Sequence, residues 1–231
     1  MQIAIIQNSQ SSACDNKMTE ALLRAGMEPI DYVLGQSDLA LPSCQGYVVI
    51  EAEKQNHALL ETLKREIEAG KPVLGIGLGA RFLIESGLVP GLPDYRVGIT
   101  LNDREPVLVD QCVYLRLSED YQFNAFTQKL MPKDILCNPL SDNLGSFVIP
   151  PGLLYEMRIQ GLTVFQYCTA QGEAIISDNI AAVSNKVGNV MAMLSHPEMG
   201  GYGDKIFHSM HDYIAEGHVQ QVSPLHYFPR H

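Results

Sequence analysis

Residues 73 to 83 read Val73-Leu74-Gly75-Ile76-Gly77-Leu78-Gly79-Ala80-Arg81-Phe82-Leu83. An apolar run meets three alternating glycines, and a helix-like pattern follows. A strand, a sharp turn and a helix form a unit that either exposes one residue above a sheet or receives a phosphate. The glycines permit both readings. Gly75-Ile76-Gly77-Leu78-Gly79-Ala80 satisfies G-x-G-x-x-G/A, the dinucleotide fingerprint. The same letters also give a G-x-X-x-G elbow with Gly77 at its apex.

Working outward, Gln2–Gln7, Ile30–Leu34, Tyr47–Ile50 and Pro72–Ile76 are predicted strands. Between them, Asp15 is predicted to cap a helix running to about Ala25. Glu51–Gly70 is predicted to be helical, with Leu59, Leu63 and Ile67 on one stripe and Gly70 as its stop. Alternating strands and helices predict an α/β fold with a mostly parallel sheet flanked by helices. Three strands thus precede the glycines, whereas the dinucleotide fingerprint usually follows the first. Its acidic partner is due about 20 residues on, where only Asp94 stands in a turn-like "PGLPDYR".

From about residue 92 to 150 the pattern changes to short strand candidates (Val97–Leu101, Val107–Val109, Val113–Leu117) among turn residues, a β-rich excursion on the same domain. Thr163–Cys168, Ile180–Val183 and Asn189–Leu194 are predicted closing strands, Tyr202–Gly217 a last helix, and 218–231 a polar, aromatic tail that docks or frays. No repeat or linker divides the chain, so one domain over 1–231 is expected.

The formal net charge of −10 and pI near 5.1 disfavour nucleic acid or an anionic membrane as partner. No apolar run approaches the ~20 residues of a membrane helix, and the N-terminus lacks the basic region of a signal peptide. The five cysteines (Cys14, Cys44, Cys112, Cys137, Cys168) are odd in number and contain no CxxC pair. No disulfide framework or metal site is therefore expected, and a reducing, cytoplasmic setting fits.

Three segments carry a resemblance. "GKPVLGIGLGARFLIESGLVPG" (70–91) resembles the elbow of class I glutamine amidotransferases, above all the glutaminase components of phosphoribosylformylglycinamidine synthase. "NIAAVSNKVGNVMAMLSHPE" (179–198) resembles their His-Pro-Glu segment, and "SSACD" (11–15) an upstream motif. "CVYLRL" and "VFQYC" also have counterparts, so the likeness runs in order along nearly the whole chain. It implies the flavodoxin-like fold of that family. It also implies a role beside a purine-biosynthetic synthetase, to which active relatives supply ammonia from glutamine, with no cofactor and no metal.

In the family an elbow cysteine attacks the glutamine amide, a histidine takes the proton and a glutamate orients the histidine. The resemblance places His196 and Glu198 in the last two roles and Gly77 at the nucleophile position. Glycine has no attacking atom, so the acyl-enzyme route is closed there. The family's oxyanion loop, usually Gly-Gly, corresponds to Glu51-Ala52, with Leu78 following the elbow; a carboxylate at Glu51 would oppose a forming oxyanion. A His- and Glu-bearing family segment corresponds to Pro139–Gly145, where Asp142 and Leu144 replace those two residues. Elbow strain then explains Gly77: with no nucleophile required, glycine relieves it. A substitute nucleophile among the other cysteines, or at Ser195, stays open. The expectation is a catalytically degenerate, non-catalytic binding or regulatory subunit. The glutaminase subunit itself is the alternative, and a nucleotide-binding protein using Gly75–Ala80 is the third reading.

Overall fold

The computed structural model describes residues 1–8, 13–35, 41–53, 55–92, 100–101, 112–140, 147–173, 175, 180–200 and 202–217. Gln2–Gln7 (β1), Glu28–Val33 (β2), Gly46–Val49 (β3), Val73–Ile76 (β4), Cys112–Leu117 (β6), Ile135–Pro139 (β7), Thr163–Cys168 (β9), Ile180–Ser184 (β10) and Val190–Met193 (β11) form one nine-stranded sheet. Its order is β2-β1-β3-β4-β11-β10-β9-β6-β7. The five strands from β2 to β11 run parallel, and the pairings from β11 onward are antiparallel. The predicted α/β sheet with flanking helices is therefore present, its parallel part confined to the half that carries the elbow.

Burial explains the sequence pattern of that half. Strands β3, β4 and β11 are buried at every position, so they read as unbroken apolar runs. Side chains alternate between two apolar layers. Ile3, Ile5, Val48, Leu74 and Met191 face one layer with Met18 and Leu22 of Ala13–Arg24 (α1) and Phe207 and Met210 of Asp204–Ala215 (α5). Ala4, Ile6, Val49, Val73 and Ala192 face the other, with Leu59 and Leu63 of His57–Glu68 (α2) and Phe82 and Leu83 of Leu78–Glu85 (α3).

Several boundaries differ from expectation. Helix α1 starts at Ala13, which puts Asp15 inside its first turn rather than at the cap. Helix α2 starts at His57, not Glu51. The apolar stripe begins only at Leu59, and the Asn56 side chain caps the helix by accepting from the Leu59 amide at 3.0 Å. Residues 51–53 are instead a loop on the β3 end, which matters for the site. The β-rich excursion contributes β6 and β7 to the main sheet, while Thr100–Leu101 (β5) pairs with Phe147–Val148 (β8) as a separate ribbon. Val107–Val109, Asp94 and the tail lie outside the described residues.

Strand β7 and helix Pro151–Ile159 (α4) were not anticipated, because Pro132, Pro139, Pro150 and Pro151 punctuate those segments. Pro151 opens α4 at a first-turn position where its missing N–H costs nothing. Pro139 ends β7 on the outermost strand of the sheet, the place where proline is tolerated. Recognising β7 also corrects the expectation of unpaired thiols. The β6–β7 pairing brings Cys112 and Cys137, separated by 25 in sequence, to a Cα distance of 5.7 Å, and they are joined as a disulfide.

The tightest backbone approach in this half is at Gly79. A Cβ there would stand 1.8 Å from the Val49 carbonyl oxygen, and the Gly79 amide already donates to Ile50 O at 2.8 Å. Gly79→Ala must therefore push α3 off the end of β3. Urea unfolding should show a loss of about 2–4 kcal/mol. A variant within ~0.5 kcal/mol of the parent, the range of neutral surface changes, would show that the two backbones can part freely.

Candidate functional site

The elbow is built by β4 ending at Ile76 and α3 beginning at Leu78. Gly77 between them has φ 55° and ψ −119°, a backbone region that costs a non-glycine residue about 1–3 kcal/mol. The flanking glycines serve a different purpose. A Cβ at Gly75 would come 2.5 Å from Leu83 Cδ1 and 2.8 Å from the Gly79 carbonyl oxygen. Gly75 and Gly79 thus let helix and strands close together, and only Gly77 is required by a turn.

The Gly77 amide donates to Met193 O at 3.0 Å, which ties the elbow to β11. Ile76 and Met193 are register partners. The chain therefore leaves β4 and β11 side by side, at the carboxyl ends of adjacent parallel strands, where open α/β sheets form their crevices. Beyond Met193 come Ser195 and His196, then a 3-10 turn over Pro197–Met199. His196 Nδ1 lies 2.7 Å from Glu198 Oε1, and both side chains are buried. The second Glu198 oxygen, Oε2, is buried without a hydrogen-bond partner among the described residues. A carboxylate held against one ring nitrogen fixes the imidazole's orientation, the arrangement that lets the opposite nitrogen take a proton.

Two residues missed in the sequence position this turn. The Pro139 carbonyl accepts the His196 amide at 2.8 Å, and Asn138 Nδ2 donates to Ser195 Oγ at 3.2 Å. Both belong to β7. The available signal was the alternation of Leu136 and Asn138, the buried positions of "ILCNP", which the prolines concealed.

Glu51, Ala52 and Leu78, the expected oxyanion-loop positions, do come together. They line one cleft of about 300 Å³, with Asn8, Arg81 and Glu85 among its other walls. The Glu51 amide does not serve the cleft. It shares the Ile6 carbonyl with the Ile50 amide, at 3.4 and 2.9 Å respectively. Arg81 Nε donates to Glu85 Oε1 at 2.7 Å. On the β3 side the cleft is lined by Glu51, Ala52 and Glu53.

None of the candidate substitute nucleophiles with a described side chain is suited to attack. Ser195 is fully buried, its hydroxyl held by Asn138. Burial pushes the Cys44 and Cys168 thiols above their ordinary pKa, which opposes thiolate formation. Cys112 and Cys137 are bonded to each other. The Cys14 side chain, Asp142 and Leu144 lie outside the described residues. Among the described residues no cluster of three or more His, Cys, Asp or Glu could hold a metal ion, and no helix is long and apolar enough to cross a membrane.

No protein-family model matches the chain. A relative from Methanothrix thermoacetophila, named phosphoribosylformylglycinamidine synthase subunit PurQ, is 28% identical over 94% of this chain and 99% of its own length. A protein of the same name from Aquifex aeolicus is 34% identical over 57% of each chain. Among solved structures, PurLQS from Thermotoga maritima matches with a TM-score of 0.67 at 21% identity, covering 92% of this chain and 99% of that one. The glutaminase domain of Trypanosoma brucei CTPS matches with a TM-score of 0.58 at 14% identity, covering 94% of each. The chain has the fold of the class I glutamine amidotransferases and is a homologue, over nearly its whole length, of proteins named PurQ.

Proposed function

We propose that this chain is a degenerate glutamine amidotransferase subunit, cytoplasmic and of one domain over 1–231. In this reading it binds or regulates a purine-biosynthetic synthetase and has no glutaminase step of its own. The observation that carries the reading is Gly77. It occupies the residue between β4 and α3 at which the resemblance requires a cysteine, and it presents no side chain there. The relatives bear the name of a synthase subunit, and PurLQS supports a multi-subunit setting. The acidic chain, of net charge −10, fits a protein partner better than a nucleic acid.

The β3–α2 loop supports the same reading. A carboxylate ~4 Å from a forming oxyanion would cost on the order of 4 kcal/mol at an effective dielectric near 20. Glu51 lines the cleft beside Leu78, at the position where the resemblance implies an oxyanion donor loop. The nucleophile and one oxyanion donor are then lost together, as expected once turnover is no longer selected.

A second reading, an active glutaminase subunit, is favoured by the buried, hydrogen-bonded His196–Glu198 pair. Burying such a pair is costly unless its geometry is maintained. In the degenerate reading its role is to brace the loop after β11.

The purified chain, alone or mixed with a synthetase subunit, should release no glutamate from glutamine above a protein-free blank. Turnover that co-purifies with the chain and disappears in His196→Ala would establish the second reading instead.

Gly77→Cys should supply a thiol without supplying turnover. The returned elbow strain should lower stability by about 1–3 kcal/mol. The missing oxyanion donor alone should hold glutamate release ~10²–10³-fold below that of an intact glutaminase. Release within tenfold of such an enzyme would mean that the Glu51 loop is no obstacle and that only the nucleophile was lost.

A further inference from the structure

Among the described residues, strand β7 is the outermost strand of the nine-stranded sheet, with β6 as its one neighbour there. It is nevertheless the platform of the His196–Glu198 turn. Pro139 holds the His196 amide, Asn138 holds the Ser195 hydroxyl, and the Gly200 backbone sits so close that a Cβ there would be 2.6 Å from the Cys137 carbonyl oxygen. The turn is thus held by an element that has a single sheet partner among the described residues. Edge elements of this kind open at lower free energy than central strands.

The strand pairing of β7 with β6 is spanned by Cys112 and Cys137. Cys112 is exposed and Cys137 half-buried, so small reagents can reach the pair. Cys44 and Cys168 are buried.

We propose that Cys112 and Cys137 are a reversible thiol–disulfide couple that fastens β7 to β6 and so sets the mobility of the His196–Glu198 turn. The oxidant is a low-molecular-weight disulfide of the glutathione type. The exposed Cys112 thiolate attacks one of its sulfurs, breaking that S–S bond and forming a mixed disulfide, and the released thiolate takes up a proton. The Cys137 thiolate then displaces the second small thiol. In balance, two protein thiols lose two hydrogens and the small disulfide becomes two thiols. Excess small thiol reverses both steps. The couple acts on the platform and not on the reacting position, so it operates whether or not the chain has turnover.

The test equilibrates the full chain with oxidised or reduced glutathione. Intact mass and iodoacetamide mapping should show a Cys112–Cys137 bond in the first and two free thiols in the second. Hydrogen exchange of residues 195–200 should be slower in the oxidised chain by about tenfold or more, with β1 and β3 unchanged. Cys112→Ser, a change at an exposed position, should exchange like the reduced chain in both buffers. Failure of the bond to form while both thiols alkylate would overturn the proposal. So would a bond that survives excess reduced glutathione, which marks a permanent brace, or a bond that leaves exchange at 195–200 unaltered.

Discussion

The architecture of the site depends on the meeting of two backbones, the first turn of α3 and the end of β3. Gly79 lies against the Val49 carbonyl with no room for a methyl group, and its amide bonds the Ile50 carbonyl. That contact sets the height at which the elbow stands above the sheet. It also places the β3–α2 loop, with Glu51, as one wall of the cleft beside Leu78. Close packing has little tolerance for relaxation at such a point, so the geometry of the cleft is set by the fold.

The parallel half of the sheet was legible in the sequence because burial on both faces turns its strands into plain apolar runs. The glycines of 75–79 announced a strand–turn–helix, although the demand on Gly79 comes from the distant Val49 backbone. His196 and Glu198 could be named because the segment that holds both resembles the family's His-Pro-Glu segment. The antiparallel half was less legible. Strand β7 carries Asn138 inward and ends at Pro139, which makes it look like a turn when its partner β6 is unknown. The same blindness hid the disulfide, because Cys112 and Cys137 are neighbours only through that pairing. The start of α2 was misplaced because a run of acidic and polar residues suits a helix surface as well as a loop. Only the Asn56 cap distinguishes the two.

The direction of Glu51 could not be derived from sequence at all. Whether a carboxylate on a loop faces solvent or a cleft depends on how the loop leaves its strand. Here the Ile50 and Glu51 amides share the Ile6 carbonyl, which ties the start of the loop to β1. The result is a loop anchored to β1 by its amides, with Glu51 and Ala52 lining the cleft.

The pairing of β4 with β11 has a consequence for how the chain is made. Val73 through Ile76 find one neighbour, β3, soon after synthesis, but their other neighbour is Val190 through Met193. Until the ribosome has passed nearly the whole chain, β4 is an open edge, apolar and unpaired along one side. Exposed edges of that kind recruit other strands. The late β11 segment is thus both the carrier of the His196 turn and the cover that shields the nascent protein from aggregation. Truncation before it would release an adhesive half-sheet, not a smaller version of the protein.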